Sequence, residues 1–370
     1  MKQLQTHPFR IALFVVCLLC IATIAGAQER PRNLIILIGD GMGVAQLSAH
    51  QLADENSVFG RFPVAGFSMT QSASHFVTES AAGGTALATG YRTRNDVISL
   101  DPDGDTLRTL LEFARASGKA IGVVATSSVT HATPASFLAH ATSRKLEFDI
   151  AAQIAESGAD VIIGGGKKWF LPEGAGGGRS DKRNLLEEMR GRGYAVLTQL
   201  RPERHTASRF IWLAADDALP PATQRHLPAS MTLRVATEHL KQHPNGFVLM
   251  VEGSQIDWAG HDNDFERLRA EMFDFNDAVR TALEFAEADG QTTVVVTADH
   301  ETGGLALVGG NADGSNITPT WVHKEHTGSM VPILAFGPGS ARFGGIHRND
   351  ELGRLFFSLI GEYAFAPIER

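Results

Sequence analysis

Nine side chains able to hold a metal or attack phosphorus are spread along the chain: Asp40, Ser80, Thr133, Glu252, Asp257, His261, Asp299, His300 and His326. Imidazole with carboxylate suits Zn²⁺, whereas carboxylate with hydroxyl suits Mg²⁺. The set is large enough for more than one ion. Two ions about 4 Å apart can hold both the attacking and the leaving oxygen of an in-line displacement at phosphorus. Arg144 can add a two-pronged clamp on non-bridging phosphate oxygens. Ser80 supplies a hydroxyl that a metal can turn into a nucleophile. It follows Glu79 and opens a run of small residues, Ala81-Ala82-Gly83-Gly84, which predicts a helix starting at or near Ser80. The first amides of a helix have no internal partner and attract anions. The plainer alternative is that Ser80 only caps the helix. The small residues that follow allow another backbone or a ligand to come close.

The elements that must position these groups are legible as apolar runs. Residues 33–38, 120–125, 160–163, 247–251, 292–297 and 331–336 read as buried strands, as in a parallel sheet. Helical spacing is clearest through Phe265, Leu268, Met272, Phe275, Val279, Leu283 and Ala286. Further helices are expected after Gly43, at 106–117, at 148–157 and at 351–360, and Pro134 suits the first turn of another. Strand and helix alternate throughout. The fold class is therefore α/β: a three-layer α/β/α sandwich around a largely parallel central sheet. Asp40, Glu252 and the Asp299-His300 pair each follow a strand directly, so they gather at the sheet edge where such folds bind ligands. Gly164-Gly165-Gly166-Lys167-Lys168 lacks the spacing of a phosphate loop and reads as a flexible turn, and 171–180 as a surface loop.

With 370 residues, 43% hydrophobic and 20% charged, the chain can bury a sizeable core. Residues 1–27 stand apart. Lys2 and Arg10 precede an apolar run ending at Ala25-Gly26-Ala27, the pattern of a cleaved secretory signal peptide. Residues 28–370 then form one catalytic domain, periplasmic or secreted, with no stable membrane anchor after cleavage. Both cysteines, Cys17 and Cys20, lie in the leader, so the mature chain has no thiol chemistry, and any metal must sit on carboxylate, imidazole and hydroxyl. Losing Lys2 and Arg10 takes the net charge from −8 to −10, which argues against nucleic acid as a stable partner.

Six motifs in order resemble the alkaline phosphatase family. They are Gly39-Asp40-Gly41-Met42-Gly43, the Ser80 stretch, Ala132-Thr133-Pro134-Ala135 with Ser143-Arg144, the segment from Glu252 to His261, Thr297-Ala298-Asp299-His300, and Glu325-His326-Thr327-Gly328. The resemblance implies a phosphate monoesterase working through a phosphoserine at Ser80. It implies one zinc on Asp257, His261 and His326, a second on Asp40, Asp299 and His300, and a magnesium reached by Asp40, Thr133 and Glu252. Arg144 would clamp the phosphate. Three positions depart from the best-known bacterial member: Glu79 stands for Asp, His131 for Asp, as in some other members, and Trp258 for Lys. The longer Glu79 is expected to shift a hydrogen bond to Arg144 and weaken phosphate holding. His131 leaves the third metal site the least defined, and Trp258 is expected to pack. The segment between His300 and His326 is short where many members carry a dimer-building insertion, which weakens the case for a homodimer built on that element and leaves a homodimer open. Small phosphate monoesters are the implied substrates. The alternatives are a phosphodiesterase or sulfatase of the same broad fold, or a phosphate- or metal-binding protein without turnover. Arg144 with the Thr133–Glu252 set favours the monoester dianion, and no sulfatase signature surrounds Ser80.

Overall fold

The computed structural model describes residues 30–200, 207–361 and 364–365, so the leader expected at 1–27 lies outside the described residues. In chain order the strands are β1 (Asn33–Gly39), β2 (Val64–Met69), β3 (Ala120–Ser128), β4 (Val161–Gly165), β5 (Tyr194–Leu197), β6 (Arg209–Leu213) and β7 (Phe247–Gly253). There follow β8 (Thr292–Thr297), β9 (Glu301–Thr302), β10 (Ala306–Gly309), β11 (Thr318–Thr320), β12 (His326–Thr327), β13 (Val331–Phe336) and β14 (Gly345–Arg348). The helices are α1 (Val44–Ala53), α2 (Ser80–Thr89), α3 (Leu110–Ala116), α4 (Ala132–Leu138), α5 (Glu147–Glu156) and α6 (Lys167–Phe170). They continue with α7 (Leu185–Gly191), α8 (Ala229–Leu240), α9 (Gln255–Asp262), α10 (Phe265–Asp289) and α11 (Asn349–Ile360).

Ten strands form one sheet in the order β14-β2-β13-β8-β1-β7-β3-β4-β6-β5. All neighbours are parallel except β13, which runs antiparallel to both β2 and β8. The central strand β1 is buried along its whole length, and its side chains alternate between two cores. Leu34, Ile36 and Ile38 face one core with Leu87 of α2, Leu111 of α3, Phe137 of α4, Ile154 of α5 and Phe356 of α11. Ile35 and Leu37 face the other with Leu233 of α8 and Leu268, Met272, Phe275 and Leu283 of α10. Helices therefore cover both faces, which is the expected three-layer sandwich. Among the described residues no helix is long and apolar enough to cross a membrane.

Register does the positioning. Ile38 of β1 lies opposite Glu252 of β7 and Thr297 of β8, and Ala125 of β3 also lies opposite Glu252. The carboxyl ends of the central strands therefore stop at one level, and the residues that follow them share one edge. The long helix α10 spans 25 residues, capped by the Asp264 side chain at its start and by Gly290 at φ 67° at its end.

Several elements differ from their sequence reading. The helix expected from residue 106 begins at Leu110, because Thr109 and Glu112 form a reciprocal cap. The glycines at 164 and 165 belong to β4, and Lys167 and Lys168 open a short helix through ion pairs with Asp216 and Asp217. Strands β2, β5, β6 and β14 and helices α7 and α8 had no clear pattern. The strands are short, and β2 carries Gly66 and Ser68.

Glu112 also reaches His140 at 3.0 Å, while the other ring nitrogen of His140 bonds the Ser99 carbonyl at 2.9 Å. Burial opposes charge on both groups. The hydrogen bonds outweigh it, holding Glu112 below its ordinary pKa and His140 above its own. A lowered carboxylate stabilises the fold above its unfolded pKa, and a raised imidazole does so below its unfolded pKa and loses the effect through its folded pKa. The pair thus contributes most in mildly acidic solution and fades in alkaline solution. Glu112→Gln keeps the cap acceptor, so denaturant unfolding should show a loss of about 0.5 kcal/mol near pH 6, discounted for solvent exposure, and almost none near pH 9.

Candidate active site

β1 ends at Gly39, and the chain turns at Asp40-Gly41. Gly41 has φ +74°, and a Cβ there would lie 2.7 Å from the Asp257 Cα, so only glycine lets α9 approach this turn. The Gly41 amide donates to the Asp299 carboxylate at 3.3 Å, which ties the end of β1 to the end of β8. Asp40, Asp299 and His300 meet here, with His300 Nε2 3.4 Å from Asp40 and 3.3 Å from Asp299.

A second group forms beside it. Asp257 and His261 sit one turn apart on α9, each partner 3.4 Å from the other. His326 joins them at 3.4 Å from Asp257 because β12 pairs antiparallel with β9, two residues past His300. The His300 and His326 rings stack at 3.7 Å, so the two groups touch. His326 Nδ1 donates to the Thr78 carbonyl at 3.1 Å, and His261 Nδ1 donates to the Lys324 carbonyl. Both rings therefore present Nε2 to the cluster, where the two nitrogens lie 3.1 Å apart. Thr302 donates to Asp257, a support that sequence reading missed because a threonine two residues past His300 has no distinctive signal.

A third group gathers Asp40, His131 and Glu252. Ser254 and Ser127 donate to one Glu252 oxygen at 2.6 and 3.1 Å. Among the described residues its other oxygen has no hydrogen-bond partner, nor do both oxygens of Asp40, one of Asp299, or the hydroxyl of buried Thr133. Unpaired buried polar atoms are costly unless something absent from the protein chain satisfies them. Their donor types are those of hard and borderline cations.

Ser80 lies 3.2 Å from His300 Nε2 and is 2% exposed. It is the first residue of α2 rather than its cap. Glu79 does the capping, accepting from the Ala81 and Ala82 amides at 2.9 Å each. The small residues act as expected: a Cβ on Gly83 would lie 2.9 Å from the Asp299 carbonyl, and one on Gly84 3.0 Å from the Ser136 hydroxyl. Glu79 also pairs with Arg144 at 2.7 Å, so its extra methylene does not cost that contact. Arg144 donates in turn to His131 Nε2 at 3.1 Å, and Trp258 packs edge-on to His131 at 6.0 Å between ring centroids.

The electrostatics match this geometry. Burial, with Asp299, Asp257 and Glu252 nearby, raises the Asp40 pKa well above the carboxylate range. Burial raises Glu252 and Asp299 as well. Burial would also raise Asp257, but hydrogen bonds from His261 and His326 hold it well below. Asp257 in turn raises His261 to about 9. Burial and Arg144 push His131 down to about 4, so it is neutral and accepts from the arginine. Among the described residues, Arg144 is engaged by Glu79 and the raised imidazoles His261 and His326 serve Asp257, so Asp40, Glu252 and Asp299 keep raised pKa values that bound cations would bring down.

The alkaline phosphatase family profile matches residues 31–319. The chain is 33% identical to alkaline phosphatase 3 of Bacillus subtilis, over 90% of each chain. It is 30% identical to the alkaline phosphatase of Escherichia coli, over 88% of this chain and 85% of that one. It superposes on the alkaline phosphatase of the Antarctic bacterium TAB5 with a TM-score of 0.84 at 36% identity, covering 90% of this chain and 98% of that one. A variant of that enzyme, with a histidine replaced by aspartate and magnesium bound, matches equally well at a TM-score of 0.84. The profile match, and the identity and coverage of these relatives, place the chain plainly: it belongs to the alkaline phosphatase family.

Proposed function

We propose that this monoesterase works through Ser80, whose hydroxyl oxygen bonds to phosphorus as the ester oxygen departs, leaving a phosphoserine that water then cleaves. The observation that carries this reading is the Ser80 hydroxyl, at the start of α2 and 3.2 Å from His300, beside two clusters of three ligands. Asp257, His261 and His326 would hold one zinc, and Asp40, Asp299 and His300 the other. Asp40, Thr133 and Glu252, an all-oxygen set, would hold magnesium. When bound, these ions supply positive charge to the phosphoryl group and to the attacking and leaving oxygens.

The chain's own residues supply the rest. Glu79 takes the Ala81, Ala82 and Gly83 amides, so the Ser80 amide at the start of α2 and the guanidinium of Arg144 are the groups that would face the phosphoryl oxygens with positive charge. Glu79 and His131 engage one N–H on each terminal nitrogen of Arg144, which fixes the plane of the guanidinium and leaves others for the phosphate. Burial of the cluster excludes bulk water and strengthens each of these interactions. A neutral imidazole has one lone pair, and Arg144 takes that of His131, so His131 positions the arginine rather than binding metal in this pose. Residues 28–370 are read as one exported catalytic domain, periplasmic or secreted.

Hydrolysis of a chromogenic phosphate monoester by the mature protein tests the reading. Chelation should abolish turnover, zinc should restore it and magnesium should raise it further. Ser80→Ala should remove both turnover and covalent labelling by phosphate. Diester turnover above monoester turnover, or full activity in Ser80→Ala, would contradict it.

The third site gives a separate expectation. His131→Asp adds an oxygen donor beside Asp40 and Glu252, so magnesium should resist chelation better than in the parent, read as bound magnesium after dialysis. The TAB5 variant with the same type of exchange binds magnesium, in line with this. Glu79→Ala removes a helix cap and the arginine's anchor together. It should cost about 1 kcal/mol in unfolding experiments and raise KM with little change in zinc content.

A further inference from the structure

Asp96 lies in a turn 16 residues past Ser80 and belongs to none of the motifs above. It is one of five described non-glycine residues with positive φ, at 74°. Asp and Asn visit this region more readily than other side chains, but glycine adopts it without steric cost. The conformation sends each of its polar groups to a different partner. Its amide donates to Glu79 Oε1 at 2.9 Å. Its carbonyl accepts from the Arg144 amide at 2.7 Å. Its carboxylate accepts from the Ser143 hydroxyl at 2.6 Å, and that hydroxyl also accepts from the Lys145 amide at 3.2 Å.

These bonds close a ring. Glu79 holds the guanidinium end of Arg144, Asp96 holds its backbone end, and Asp96 and Glu79 are bonded to each other. Ser80 follows Glu79 directly, so the same ring spans the start of α2 and the 143–145 loop. Residue 144 has no regular secondary structure to fix it, since α5 begins only at Glu147. Two parallel ties restrict a long side chain far more than one, because each removes rotational freedom that the other leaves.

We infer that Asp96 is a positioning residue for phosphate recognition: it sets the distance between Arg144 and Ser80 through the Ser143 side chain and the Arg144 backbone. The inference rests on Arg144 being the phosphate clamp. Asp96 touches no substrate and acts only through the arginine.

The test is steady-state kinetics on the metal-saturated enzyme with a chromogenic monoester, together with inhibition by inorganic phosphate, zinc content and thermal melting. Asp96→Gly keeps the backbone conformation and both backbone bonds but loses the tie to Ser143. It should raise KM and the phosphate inhibition constant together by about three- to tenfold, the worth of one hydrogen bond, with zinc content unchanged. Ser143→Ala should do the same. Asp96→Asn tolerates the same φ and keeps an acceptor oxygen, so it should stay close to the parent. In an Arg144→Ala background Asp96→Gly should add nothing. A lower melting temperature with KM and phosphate inhibition unchanged would make Asp96 a turn residue only and overturn the inference, as would an undiminished effect in the Arg144→Ala background. If Arg144→Ala itself leaves both constants unchanged, the clamp reading fails and takes this inference with it. If Arg144→Ala weakens phosphate binding but Asp96→Gly and Ser143→Ala do not, the positioning role alone is wrong.

Discussion

Asp40, Glu252, Asp257 and Asp299 are buried together at one edge of a largely parallel sheet, with Arg144 beside them. Like charges at this separation raise one another's pKa values unless cations intervene. Most other features of the site follow from holding these groups in place. The turn at Gly41 admits α9, the pairing of β9 with β12 returns His326 to Asp257, and serine hydroxyls fix one oxygen of Glu252. The serines hold one oxygen of Glu252 and leave the other free, and among the described residues both oxygens of Asp40 and one of Asp299 also lack a hydrogen-bond partner.

The second constraint is close approach. Ser80 reaches His300 only because α2 lies nearly against the loop after β8, and Gly83 leaves no side chain between them. The same helix offers little apolar side-chain bulk, so it is held by neighbours on all sides, including α4 and α11. Its cap is Glu79, which ties helix geometry to the position of Arg144 through one carboxylate. A change in the helix start is therefore transmitted to Arg144 through Glu79.

Much of this was legible in the chain. Long runs such as 33–38 and 292–297 are too apolar to face water and too short for helices, so they read as buried strands. The periodicity from Phe265 to Ala286 marks α10 because its buried stripe repeats over many turns. Short edge strands such as β5 and β14 escaped because four residues give periodicity too little length to act on. The antiparallel sense of β13 also escaped, since direction depends on the path of the connecting chain rather than on composition.

Residue type by itself determined the chemistry: carboxylate, imidazole and hydroxyl at strand ends, with no cysteine after Cys20, restrict the candidate site to oxygen and nitrogen ligation. Tertiary structure alone decided which donors share a cluster, because Asp257 and His326 are far apart in sequence and meet only through the β9–β12 pairing. It alone decided that Glu79 rather than Ser80 caps α2, since capping depends on backbone angles at the junction and not on the preference of either residue. It also decided the partners of Asp96, Thr302 and Ser254, common residue types that carry no signal in the sequence until their neighbours are known.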